Sequence, residues 1–303
     1  MRSREINQLR AEQNHLKGIL SRIPENEYIN RMSFESRLKE VNEELSSVPE
    51  GYREPARAVV YFRGKPVVGS FGVFADFGIK AVSHFNDVVK AIATNIIGIG
   101  LGERGAIPSL KDSQLLITGT ARGSFGFELE ENQEQLECIP EDTRIVEASL
   151  SKTFRIIKAS IESDDELAEE VDGLDDRALS QIHEFLKTLA SNEAYCAIEI
   201  DDEVFCFKDY EQVERTSKRF LPDNIHEDEV EYSGEFTGTL PGARNFEFKL
   251  SPSNTLIRGK VGDQITEASI INHNLEAPVK ITVLEKVIGK GKPRYTLLSF
   301  IRL

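Results

Sequence analysis

The amino-acid sequence predicts an α+β protein: a helical hairpin at the N-terminus, a mixed α/β region in the middle, and a small β-barrel, OB-like or SH3-like, at the C-terminus. Three observations carry this. Two heptad-like apolar seams fill the first 48 residues. Strand-like and helix-like segments then follow one another without the regular alternation of a parallel βαβ array. Five short strand-like segments crowd roughly the last 75 residues. These patterns set boundaries at residues 1–50, 51–228 and 229–303.

The first helix is expected over 4–23. Ile6, Leu9, Gln13, Leu16, Leu20 and Ile23 repeat at intervals of three and four, which places them on one stripe. Pro24 ends the element because proline cannot continue the hydrogen-bond ladder. Ser33 reads as the N-cap of a second helix carrying Phe34, Leu38, Val41, Leu45 and Val48, closed by Pro49 and Gly51. Isolated helices of this length are marginal in water, so each seam must be covered. The hairpin is expected to pack antiparallel or to pair with another chain. Leu9, Leu16, Leu20, Leu38, Val41 and Leu45 are therefore the candidate assembly residues, and the polar Gln13 would hold the register.

The middle region opens on a strand over 56–63, a turn at Arg63–Pro66, and a restart at Val67 and Val68. A helix from about 78 to 95 follows, with Phe77, Ala81, Phe85, Val88 and Ile92 on its buried face. Strands are expected at 114–119 and 125–130. Residues 143–190 read as mainly helical, best at 176–190 behind Asp175, with ESDDELAEEVDGLDD as a solvated acidic stretch between helices. A hairpin turning at Asp201-Asp202 carries Cys196 and Cys206 on facing strands, as small half-buried side chains. The C-terminal strands are EVEYSGEFTGTL, NFEFKL, TLIRGKV, PVKITVLEKVI and RYTLLSFIRL, with a short helix at 263–271.

Composition narrows the function. The chain has 303 residues, 40% of them hydrophobic and 29% charged, which suits a folded water-soluble protein. No apolar run reaches the ~18–20 residues of a membrane span, and the polar N-terminus lacks a signal-peptide core. Three cysteines, Cys138, Cys196 and Cys206, at undistinguished spacing favour a reducing cytoplasm. Charge is spread unevenly. Residues 131–232 hold 29 acids against 10 bases, a net of −19, whereas the rest hold 22 against 27, a net of +5. Separate surfaces with separate partners are implied.

Few residues carry chemistry. Gly98, Gly100, Gly102 and Gly105 could cradle a phosphate, but the loop follows a helix, no strand–loop–helix context surrounds it, and it reads more simply as a connection. His84 flanks the apolar stripe of its helix. Ser124 sits between two strands rather than on a strand-to-helix elbow. No His or Cys spacing suits a metal, and the acidic pairs lack a calcium-loop register. No cofactor is expected. The last segment is basic: residues 233–303 hold 10 Lys/Arg and 6 Asp/Glu. Lys286, Lys290, Lys292 and Arg294 gather about one hairpin beside Tyr295, a set able to pair with phosphates and stack on a base. If that face binds nucleic acid, the acidic segment must point away from it or occupy it in competition.

The stretches RMSFESRLKEVNEEL, AVVYFRGKPVVGSFGVFADFG and ITGTARGSFGFELEE resemble an uncharacterised bacterial protein family over the first 130 residues. The resemblance implies a bacterial cytoplasmic source and brings no activity with it. The sequence thus points to a non-enzymatic assembly protein that self-associates or meets a protein partner through its first helices, with no membrane involvement. The alternatives are a nucleic-acid-binding protein using the basic barrel, and a nucleotide-binding or hydrolytic enzyme with a scattered site.

Overall fold

A computed structural model describes residues 3–24, 27–48, 54–98, 114–121, 125–132, 144–201, 203–262 and 264–303. The chain divides into two compact units.

The first unit holds helices α1 (Ser3–Leu20) and α2 (Tyr28–Ser46). Leu9, Leu16 and Val41 are buried together, with Phe34, Leu38 and Leu45 packed against them. The two seams therefore cover one another within the chain. Gln13 donates to Asn42 Oδ1 at 2.7 Å, and Arg37 Nε pairs with Glu12 at 2.7 Å. Ser33 is not an N-cap: α2 begins five residues earlier, and Ser33 lies inside it. The turn before Ser33 is helical although its Tyr28 and Ile29 lie off the seam, so the seam alone could not locate its start.

In the second unit, an antiparallel sheet runs in the order β4–β5–β1–β6–β7. Its strands are β1 (Arg57–Gly64), β4 (Leu115–Ala121), β5 (Gly126–Glu131), β6 (Ala194–Ile200) and β7 (Glu203–Cys206). Val67–Val68 and Gly72–Val73 form a separate two-stranded ribbon, β2 and β3, rather than a continuation of β1. Because strand side chains alternate, Ala58, Val60 and Phe62 share one face with their partners Ile200, Ile198 and Cys196. That face meets helices α3 (Ala75–Ile96), α4 (Ile145–Ala159) and α6 (Asp176–Ser191). Phe62 meets Phe77, and Phe85 meets Phe185, edge to face at 5.4 and 5.6 Å. The expected stripe of α3 is buried throughout. Helix α7 (Tyr210–Arg219), absent from the sequence reading, packs on α6 with only Val213, Thr216 and Ser217 buried.

The acidic stretch is not a solvated linker. Asp164–Val171 is a helix, α5, opened by a capping box in which Ser163 accepts from the Glu166 backbone N–H and Glu166 accepts from that of Ser163. Leu167, Ala168 and Val171 are buried, so one face of this charged segment belongs to the core.

The remaining strands are β8 (Ile225–Leu240), β9 (Asn245–Leu250), β10 (Leu256–Val261), β11 (Pro278–Ile288) and β12 (Arg294–Arg302). Each pairs with two others in a closed order, β8–β9–β10–β12–β11 and back to β8. Only β10 and β12 run parallel in it. Phe236, Phe246, Phe248, Ile257, Val261, Ile281, Val283 and Leu297 fill its interior. The helix expected at 263–271 is a 3₁₀ segment lying later, at Ala268–Asn274.

Candidate functional site

Alternation along β10 builds the site. Ile257 and Val261 point into the interior, so Arg258 and Lys260 point outward on one face. Gly259 between them pairs with Tyr295 of β12, and a Cβ at that position would collide with the Tyr295 carbonyl oxygen. Only glycine lets the two strands close there. The result is a cleft of about 490 Å³ lined by Asn245, Phe246, Glu247, Arg258, Lys260, Arg294 and Tyr295, with the end of β8 and Asp172 at its margins.

Three cations line this cleft, and each has an acidic partner. Arg258 Nε lies 2.6 Å from Glu247, and Lys260 Nζ lies 2.5 Å from Asp172. Arg294 donates to the Asp165 carbonyl at 3.4 Å and lies 3.8 Å from Glu169. The Arg258 guanidinium and then the Thr237 hydroxyl hold the Glu247 carboxyl below its ordinary range. Tyr295 is half-buried and meets Tyr232 edge to face at 6.3 Å. Burial, followed by the hydrogen bond to Glu285, pushes the Tyr232 phenol up to about 12. Tyr232, which donates to Glu285 Oε2 at 2.8 Å, is therefore neutral at physiological pH.

The turn joining β11 to β12 lies at one end of the cleft. Its backbone is held from outside: Lys290 N–H donates to Asp164 Oδ2 at 3.0 Å, and Lys292 N–H to Asp165 Oδ1 at 2.7 Å. The Asp164 carboxyl sits below its usual range, first because of the Lys290 N–H and then because of Arg219 at 2.6 Å. The Lys290 and Lys292 side chains remain exposed.

Of the residues singled out in the sequence, the fold gathers Lys290, Lys292, Arg294 and Tyr295. Lys286 is placed elsewhere: it is 8% exposed, ion-paired with Glu227 and bonded to the Leu174 carbonyl at 3.3 Å. It lines a second cavity, of about 410 Å³, together with Asn95, Gly98 and Asp175. Gly98 follows the C-terminus of α3, the negative end of that helix's dipole, which disfavours a phosphate. Gly100, Gly102, Gly105, Ser124 and Cys138 lie outside the described residues. His84 is committed to Thr188 Oγ1 at 2.8 Å between two packed helices. Among the described residues no three His, Cys, Asp or Glu side chains converge as a metal site would require, and no helix is long and apolar enough to cross a membrane. Sequence reading missed Arg258 and Lys260. Their i, i+2 spacing on a strand was the available signal, but without the strand's pairing it did not say which face they shared.

No family model matches the chain, and no curated protein or solved structure matches it either.

Proposed function

We propose that the C-terminal module is a barrel of OB type that binds single-stranded nucleic acid across β9 and β10. The carrying observation is the strand order. Numbered within the module, strands 1-2-3-5-4 close onto strand 1, strands 3 and 5 run parallel, and a helical turn separates strands 3 and 4. That order supports the OB reading, and in OB folds the second and third strands and flanking loops form the usual ligand face. The cleft with Arg258, Lys260, Arg294 and Tyr295 lies on that face. Cations can track phosphates there while the tyrosine offers a surface for a base. An SH3-like arrangement lacks this support.

The test is fluorescence anisotropy of a labelled 15-nucleotide oligothymidylate titrated with the full chain at low salt. Tyr295→Ala is expected to lose about 1–3 kcal/mol of binding. Arg258→Ala with Lys260→Ala should weaken binding and flatten its dependence on log salt by about 0.7 per lost phosphate contact. Binding untouched by these substitutions would sink the reading.

A second reading concerns the first unit. We propose that it also self-associates, now through the start of α2 rather than its seam. Tyr28, Ile29 and Met32 stand 77, 87 and 72% exposed on one side of that helix. Leu38 and Leu45, by contrast, are consumed in the hairpin's own core. Changing Tyr28, Ile29 and Met32 to Ser should leave a smaller species in sedimentation velocity. A parent chain that is monomeric at every concentration refutes this reading.

A further inference from the structure

We infer that α5 is an internal competitor for the nucleic-acid phosphates, its carboxylates occupying the anion positions of the β11–β12 turn and of the cleft until a strand displaces them. The inference rests on the reading of the cleft as a nucleic-acid face. Its geometry is specific. Asp164 and Asp165 accept the backbone N–H groups of Lys290 and Lys292, at 3.0 and 2.7 Å. Backbone N–H groups of a glycine-bearing turn are the donors that hold phosphate oxygens in anion-binding turns. The turn is shaped around the carboxylates. A Cβ at Gly289 would stand 2.5 Å from Asp164 Oδ2, and one at Gly291 would stand 3.1 Å from Asp165 Oδ1.

Arg219 orients the first acid, donating to Asp164 Oδ1 at 2.6 Å while it also holds the Ser160 and Glu162 carbonyls at 2.5 and 2.8 Å. The other end of the same short helix reaches the cleft, where Asp172 pairs with Lys260 at 2.5 Å and Glu169 lies near Arg294. One short helix and its C-cap residue thus satisfy two backbone donors of the turn and stand beside two of the three cleft cations. Charges elsewhere on the acidic middle region matter less, because screening at physiological salt acts within about 8 Å.

The experiment compares the full chain with the double variant Asp164→Asn/Asp165→Asn and with a charge-matched control, Asp201→Asn/Glu203→Gln, on the exposed β6–β7 turn. Each is titrated into the labelled oligothymidylate at about 0.15 M salt, where that screening holds. The α5 variant should bind at least tenfold tighter than the parent, and the control less than twofold tighter. Parent and α5 variant binding alike, or the control gaining as much, overturns the competitor and leaves the nucleic-acid reading intact. No binding by any of the three at low salt overturns both. Hydrogen exchange on the unmodified chain gives an independent readout: saturating oligonucleotide should speed exchange in 164–171 while slowing it in β10. Unchanged or slowed exchange in 164–171 counts against displacement.

Discussion

Asp164 joins Arg219 to the β11–β12 turn, and its titration is testable by itself. Its carboxyl is held below the ordinary value of 3.8 by the Lys290 N–H and by Arg219. A carboxyl depressed in the folded state stabilises that state above its unfolded value, and the contribution fades as pH falls through the depressed value. Asp164→Asn is therefore expected to lower the melting temperature at pH 7, by an amount corresponding to about 1.5–3 kcal/mol for a charge-assisted hydrogen bond. The gap should narrow only below about pH 4. Thermal scans of both proteins from pH 7 to pH 3 check this, and a gap that persists undiminished at pH 3 contradicts it. Individual residues were legible where chemistry is local. Asp175 caps α6, accepting from Ala178 N–H at 2.8 Å, as its position ahead of an amphipathic run implied. The role of Lys286 was not legible, because burial against Glu227 and Leu174 brings together residues far apart in the chain.

At the scale of elements, apolar periodicity was a good guide. The stripe of α3, the middle of the two helical seams and the five C-terminal strands lie where the pattern put them, although Ile23 and Val48 fall beyond the ends of α1 and α2. What failed was the reading of charge as a sign of solvation. In α5, acids crowd the first turn, where the helix dipole favours them, and leave Leu167, Ala168 and Val171 for the core. Ser163 followed three residues later by Glu166 was a capping box in plain sight. In an eight-residue helix that box carries weight. Ser163→Ala should cost about 0.5–2 kcal/mol, read as faster hydrogen exchange over 164–171 in the otherwise unchanged protein. Exchange equal to the parent's would show that packing alone holds the helix. Helix α7 escaped notice for the opposite reason: Val213 is its one buried apolar residue, too few to set an apolar period.

For the molecule as a whole, the uneven charge was visible at once, but its meaning was not. A net of −19 over 131–232 left two arrangements open, a surface turned away from the basic face or one lying against it. Asp164 and Asp165 lie against it, at the β11–β12 turn. Pairing topology cannot be read from strand positions alone; the parallel contact of β10 with β12 joins segments whose pairing the sequence does not announce. The two hydrogen bonds from the β11–β12 turn span 126 and 127 residues of sequence. Under the proposed competition they form, in kinetic language, a pre-equilibrium. A ligand that needs the vacated turn meets only the fraction of molecules in which α5 has let go, so its apparent affinity is scaled by that fraction. As oligonucleotide concentration rises, the observed association rate then levels off at the rate of release instead of climbing without limit.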